Sequence, residues 1–251
     1  MTHEHVCFSY DDDSDLYARA QSFLADGAAA GCQLWWIGDL PPPAGYVTTA
    51  VSISAAYPGN AVIDPEAQLR QYAKVTSAAV AAGFTGLRVV AQATPLVRTR
   101  EQLDAFARYE LLIDRYMATH PFSAICAYDR RELDSSAIDE LACLHPDTNA
   151  PVPFHLHGCP PDGGAAALTG ELDMTTDELF EVTLGRLSFP GDDEVVLDAT
   201  GLRFADHRAL WRMNRWAAEH DRHLVLRGAG RATARVVDLM DLPRLHVEAI
   251  A

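Results

Sequence analysis

Apolar and polar positions change their spacing along the chain in a regular order. His5 to Tyr10 (H-V-C-F-S-Y) reads as a short strand, and the acidic run Asp11 to Asp15 follows it. Leu16, Ala20, Phe23, Leu24 and Gly27 then recur at the spacing of one helical stripe. A second strand is predicted at Gln33 to Ile37, ending in Gly38-Asp39. The same changes of period predict a helix from about Pro65 to Ala82, a strand at Gly86 to Val90, a helix at Arg100 to Thr119 and a strand at Ser123 to Tyr128. Strand, helix and strand in repetition build an open parallel sheet with covering helices, so the fold class is α/β.

His145 to Pro153 (H-P-D-T-N-A-P-V-P) interrupts this order with three prolines and an asparagine. It divides the sequence into a first domain at 1–148, a linker at 149–153 and a second domain at 154–251. In the second, the apolar run Val195, Val196, Leu197 ends in Asp198. A Thr200-Gly201 turn and a second aspartate, Asp206, follow, so a strand delivers a polar loop to a helix start. On that helix Leu210, Met213, Ala217 and His220 trace one stripe, with Trp211 and Trp216 off it, covering the sheet edge or packing on the first domain. Arg208, Trp211, Arg212 and Arg215 share the helix, and Trp and Arg together are the composition of a docking face. A helix at Ala232 to Leu242 and a strand at Leu245 to Ile250 complete the pattern.

Composition narrows the function. The formal net charge is −15, spread over both halves, and neither shows the basic face that a phosphate backbone requires, so no nucleic-acid partner is expected. The loop after the first strand is Y-D-D-D-S-D, where a nucleotide-binding sheet would carry glycines ending in Lys-Ser or Lys-Thr. Its carboxylates suit the positive end of a helix and would repel a triphosphate. Cys7, Cys32, Cys126, Cys143 and Cys159 are scattered, with no C-x-x-C pair, and no uncharged apolar run approaches a membrane span. Both features point to a cytoplasmic protein with no membrane partner. Nineteen arginines against the single Lys74, with abundant alanine, suggest a high-GC bacterial genome.

Candidate chemistry gathers in the first domain. Glu110 falls inside the apolar stripe of Leu103, Phe106, Ile113 and Met117. A carboxylate facing a core needs a partner, and Arg88, at the centre of a strand, is a plausible one. His5 and Cys7 project from one face of their strand, Cys126 and Tyr128 repeat that geometry on another, and His145 opens the linker. These residues, with Arg88 and Glu110, form the candidate ligand-binding set. His5, Cys7, Cys126 and His145 have the donor types of a soft-metal site, although their spacing is not that of a zinc finger and buried strand cysteines are usually small apolar residues. Neither a metal nor a cofactor is therefore expected.

Two resemblances follow from the motifs. H-V-C-F-S-Y-D at the start, G-L-R at Gly86 to Arg88, Y-E at Tyr109-Glu110, I-C-A-Y-D at Ile125 to Asp129 and H-P at His145-Pro146 resemble the MEDS sensory domain of methanogen and methylotroph regulators. That likeness implies a RecA/KaiC-like open parallel sheet lacking the P-loop, and sensing of small organic compounds. A-L-T-G-E-L-D-M-T-T at Ala167 to Thr176, the Asp198 to Asp206 loop and H-L-V-L-R-G at His223 to Gly228 resemble the STAS (anti-anti-sigma) family. That likeness implies an α/β domain with a mixed sheet, and an anti-sigma factor, a histidine-kinase-like ATPase, as partner. In the family a serine after the loop aspartate is phosphorylated. Here His207 takes its place and Arg208-Ala209 follow, so the usual off-switch is absent. His207 could itself accept phosphate or respond to pH, or serve only as a contact, and Thr200 is the nearest hydroxyl in the loop. Thr200, Asp206, His207, Arg208 and Trp211 mark the expected partner-binding position.

The reading is a bacterial regulator with no enzymatic activity. No G-x-S-x-G, H-E-x-x-H or P-loop motif supports catalysis. The alternatives are a degenerate metal-dependent or hydrolytic enzyme in the first domain, using Cys7, Cys126, His145 or Glu110, and a non-sensing adaptor in a sigma-factor assembly.

Overall fold

A computed structural model of the protein describes residues 4–46, 49–57, 62–159, 164–187 and 193–248. The chain divides into two compact units, Met1–Ala150 and Pro151–Ala251.

The front unit runs β1 (His5–Tyr10), α1 (Asp13–Ala29), β2 (Gln33–Ile37), β3 (Thr49–Val51), α2 (Ile53–Ala56), α3 (Pro65–Ala81), β4 (Leu87–Gln92), α4 (Arg100–Met117), β5 (Phe122–Asp129), α5 (Ser135–Ala142) and β6 (Asp147–Thr148). Six strands form one sheet in the order β3-β2-β4-β5-β1-β6, with every neighbouring pair parallel. The short strands β3 and β6 stand at its edges.

Alternation along the strands sends successive side chains to opposite faces. Val6 and Tyr10 of β1, Val90 of β4 and Ile125 and Ala127 of β5 pack with Leu16, Ala20, Phe23 and Leu24 of α1. The valine, leucine, isoleucine and phenylalanine side chains among them each contribute about 1.5–3 kcal/mol by leaving water. Asp12 starts α1 by accepting a hydrogen bond from the Ser14 amide, and Asp13 and Asp15 occupy the first turn. His5 and Cys7 therefore face the other side, where α4 lies. Thr99 and Gln102 hold the start of α4 with a reciprocal capping box.

The rear unit runs β7 (Phe154–His157), β8 (Ala166–Leu172), α6 (Asp177–Gly185), β9 (Glu194–Asp198), β10 (Leu202–Ala205), α7 (His207–Glu219), β11 (His223–Arg227), α8 (Arg231–Met240) and β12 (Leu245–Glu248). The sheet order is β10-β8-β9-β11-β12 with β7 added on β8. It is mixed, because β7 is antiparallel to β8 whereas the other pairs are parallel. Gly170 of β8 has φ +93°, and a Cβ there would sit 2.4 Å from the Pro153 carbonyl oxygen. That close approach excludes any side chain.

The α/β class and the main elements match the sequence pattern, with boundary shifts of one or two residues. Short elements such as α5, β6 and β10 were not anticipated, because two to eight residues carry too little periodicity. Ile250, the expected end of the last strand, lies outside the described residues. On α7, Trp216 is buried and His220 exposed, the reverse of the expected stripe. The helix turns Trp216 inward with Met213, three residues before it, and stacks it on His220 at 4.7 Å.

Candidate functional site: a buried polar cluster beneath a strand-end cleft

Parallel register places Cys7 opposite Cys126 and His5 opposite Ala124. Against this face α4 presents Glu110 and, one turn on, Asp114, both with no exposed surface. His145, just beyond α5, completes the group at 0 % exposure. His5 Nδ1 lies 3.1 Å from Asp114 Oδ1, and its Nε2 lies 3.0 Å from Glu110 Oε2. The Tyr128 hydroxyl donates to the other Glu110 oxygen at 3.0 Å. His145 Nδ1 donates to the Leu141 carbonyl at 2.8 Å, which turns its Nε2 toward Glu110 Oε2 at 3.6 Å. The rings of His5 and His145 are 4.2 Å apart, and Cys126 Sγ is 3.9 Å from His5 Nε2.

Both nitrogens of His5 meet carboxylates, so the ring must carry two protons to serve them both. Burial works against that charge, but the hydrogen bonds to Asp114 and Glu110 outweigh it and raise the pKa to about 9. Burial, then the His5 charge, push His145 down to about 4. For Glu110, burial alone would raise the carboxyl, while His145 and His5 bring it below its ordinary value. With His145 neutral at pH 7, the His5 imidazolium is the partner that matters. Cys7 is fully buried and hydrogen-bonded to Thr148, and burial pushes its thiol up. None of the five cysteines forms a disulfide.

His5, Glu110, Cys126, Tyr128 and His145 thus converge, with Cys7 beside them. Arg88 does not join them. Its position on β4 shares the α1 face with Val90, so its guanidinium lies over the Phe23 ring at 4.6 Å, donates to the Phe23 carbonyl at 2.9 Å and reaches Glu4 at 3.3 Å. Its stem covers Gly27, where a Cβ would stand 2.5 Å from Arg88 Cδ. Sequence reasoning also missed Asp114, although its i+4 spacing from Glu110 was the available signal.

An open cleft of about 300 Å³ lies elsewhere in the unit, at the carboxyl ends of the parallel strands, lined by Tyr10, Gly38, Asp39, Gln92, Arg98 and Arg131, among others. This is where open parallel sheets bind ligands. Its cations are already engaged: Arg131 chelates Asp129 at 2.6–3.0 Å and also reaches Asp13, and Arg98 holds Glu132 at 2.6 and 2.9 Å. Gln92 is 8 % exposed, and its Oε1 accepts the Leu40 amide at 3.2 Å. That bond orients the side chain and leaves Nε2 buried without a hydrogen-bond partner among the described residues.

In the rear unit Asp198 Oδ1 accepts both the amide and the hydroxyl of Thr200, at 3.0 and 2.7 Å. Asp206 caps α7 through the Ala209 amide at 2.9 Å. His207 is exposed in the first turn. Arg208 reaches Asp177 at 3.5 Å, and Arg212 binds Asp177 and Glu181, so these arginines are largely occupied in joining α7 to α6. Trp211 stays half exposed under the Arg215 guanidinium, 5.0 Å from its ring centre.

No helix among the described residues is long and apolar enough to cross a membrane. Comparison with the curated proteins and with the solved structures gives no match. The model of one family, MEDS, described as the MEthanogen/methylotroph, DcmR Sensory domain, matches residues 4–146, more than half of the chain, and the chain therefore belongs to the MEDS family.

Proposed function

We propose that the protein is a cytoplasmic bacterial signalling regulator that captures a small organic molecule in the strand-end cleft of its MEDS unit. The observation that carries this reading is the Gln92 amide, an oriented buried donor in a cleft of about 300 Å³. A buried N–H without an acceptor is costly, and a ligand carbonyl, hydroxyl or carboxylate oxygen removes that cost. Because Arg98 and Arg131 are held by carboxylates, the cleft suits a small polar molecule better than a phosphate. No covalent chemistry is required of it.

The rear unit reads as a STAS-type partner-binding module that docks an anti-sigma factor of the histidine-kinase-like ATPase class. The mixed sheet, the Asp198–Thr200 turn and the Asp206 cap support that reading. His207 in place of the family's serine leaves docking without the phosphorylation switch. Trp211 is the exposed anchor, whereas Arg208 contributes through its pairing with Asp177. Ligand and partner are coupled only if the ligand favours one arrangement of the chain over another.

Calorimetry of the full chain against a panel of small oxygenated organic compounds tests the sensor. Gln92→Leu should weaken a binder at least tenfold, since it leaves the ligand oxygen unpaired. Absence of any binder, or equal binding by Gln92→Leu, rejects it. Capture of a co-encoded ATPase, lost in Trp211→Ala, tests the rear unit separately.

A further inference from the structure

We infer that the buried cluster of the front unit is a closed binding site for a zinc-class divalent ion, with His5, Glu110, Cys126 and His145 as its ligands. One donor atom from each of the four lies within 4.8 Å of the others, and all four residues are buried. In a tetrahedral zinc site, bond lengths of about 2.0–2.3 Å put the ligand atoms roughly 3.3–3.7 Å apart. The separations of 3.0, 3.6 and 3.9 Å among His5, His145, Glu110 and Cys126 bracket that spacing. Shifts of well under about 1 Å would seat an ion.

The surroundings of the ligands argue more strongly than the distances. Metal-binding histidines nearly always donate their second N–H to a carboxylate or carbonyl, and such outer partners fix which nitrogen faces the metal. Here His5 Nδ1 is held by Asp114 at 3.1 Å and His145 Nδ1 by the Leu141 carbonyl at 2.8 Å. Both rings consequently aim Nε2 at the same point. The Tyr128 hydroxyl holds Glu110 Oε1 at 3.0 Å and leaves Oε2 directed inward. A purely structural ion pair between His5 and Glu110 requires neither His145 nor Cys126 to converge on the same spot.

The charges also balance. A divalent ion replaces the proton on His5 Nε2 and the thiol proton of Cys126, so two protons leave as one ion enters. Carboxylate and thiolate then neutralise it. Two nitrogens, one sulfur and one oxygen in a closed set select zinc over calcium or magnesium. With four protein ligands the site has no open position, so its role is to clamp α4 and the segment after α5 to β1 and β5 rather than to catalyse. This inference goes beyond the sensory reading and does not depend on what the cleft binds.

Full chain unfolded in denaturant with a chelator, then refolded with cobalt(II) alone, provides the test. Expected is one equivalent of cobalt with the strong visible absorption of a tetrahedral site and a near-ultraviolet thiolate-to-cobalt band. Cys126→Ser should lose that band, Cys7→Ser should keep it, and Asp114→Asn should bind about 10–100-fold more weakly. X-ray absorption of the wild-type zinc form needs no variant, and should give one sulfur and three lighter ligands. No stoichiometric cobalt, a thiolate band that survives in Cys126→Ser, or a two-sulfur shell overturns the assignment. Binding by the cleft is scored in a different experiment, so either reading can fail alone.

Discussion

His5→Leu in metal-depleted protein is the sharpest perturbation of the front unit. Leucine is close to imidazole in volume, so packing changes little. What is lost is an imidazole placed between two buried carboxyls, with contacts of 3.0 and 3.1 Å. Removing one member of a buried charged pair costs about 3–5 kcal/mol, a large share of the ~5–15 kcal/mol that holds a domain together. At 1.36 kcal/mol per factor of ten, amide exchange in β1 and β5 should accelerate roughly a hundredfold to several thousandfold. Segment-resolved hydrogen exchange by mass spectrometry is the assay, because it reads the front unit without interference from the rear one. The triple variant His5→Leu, Glu110→Met, Asp114→Leu removes the two carboxyls that lost the His5 charge as well, and should recover much of the protection. Exchange within tenfold of wild type in His5→Leu, or a triple variant less protected than the single one, would refute the reasoning.

Three further outcomes are expected. Gly38→Ala should disable the cleft, since a Cβ there would lie 2.3 Å from Gln92 Cδ at a φ of +154°; calorimetry should show lost binding, with a stability cost of about 1–3 kcal/mol. Gly170→Ala should unfold the rear unit more readily, by roughly 3 kcal/mol or more, because its Cβ meets backbone that cannot move aside; chemical denaturation measures it, and a cost below about 1 kcal/mol contradicts the geometry. Hydrogen bonds from Arg131 hold the Asp129 carboxyl below its ordinary range. Its contribution to stability is therefore complete above about pH 4 and lost as pH falls through the folded-state value; unfolding followed against pH should show a shallower acid limb in Arg131→Leu.

Much of the cluster was legible because strand alternation and helical spacing are local. His5 with Cys7, Cys126 with Tyr128, and Glu110 on the α4 stripe all follow from counting residues. The partner of Glu110 was not legible, because it depends on which face of β4 meets which helix. Arg88 shares its face with Val90 toward α1, so no sequence distance could pair it with α4. The cleft was hidden for a related reason. Gln92 closes β4, while Gly38, Arg98 and Arg131 come from loops after β2, β4 and β5, and only the strand order brings them together. In the rear unit, Trp216 stands three residues after Met213, a spacing that already placed it inward; the pairing of Arg208 and Arg212 with Asp177 and Glu181 was not legible, because it depends on α6 lying beside α7.

The borders of the front sheet carry one more consequence. Its interior strands are apolar, a composition prone to recruit further strands, yet among the described residues it finishes on β3 with three residues and β6 with two. So few free backbone groups give an incoming chain almost nothing to grip. Protection against runaway self-association is thus built into how the sheet stops.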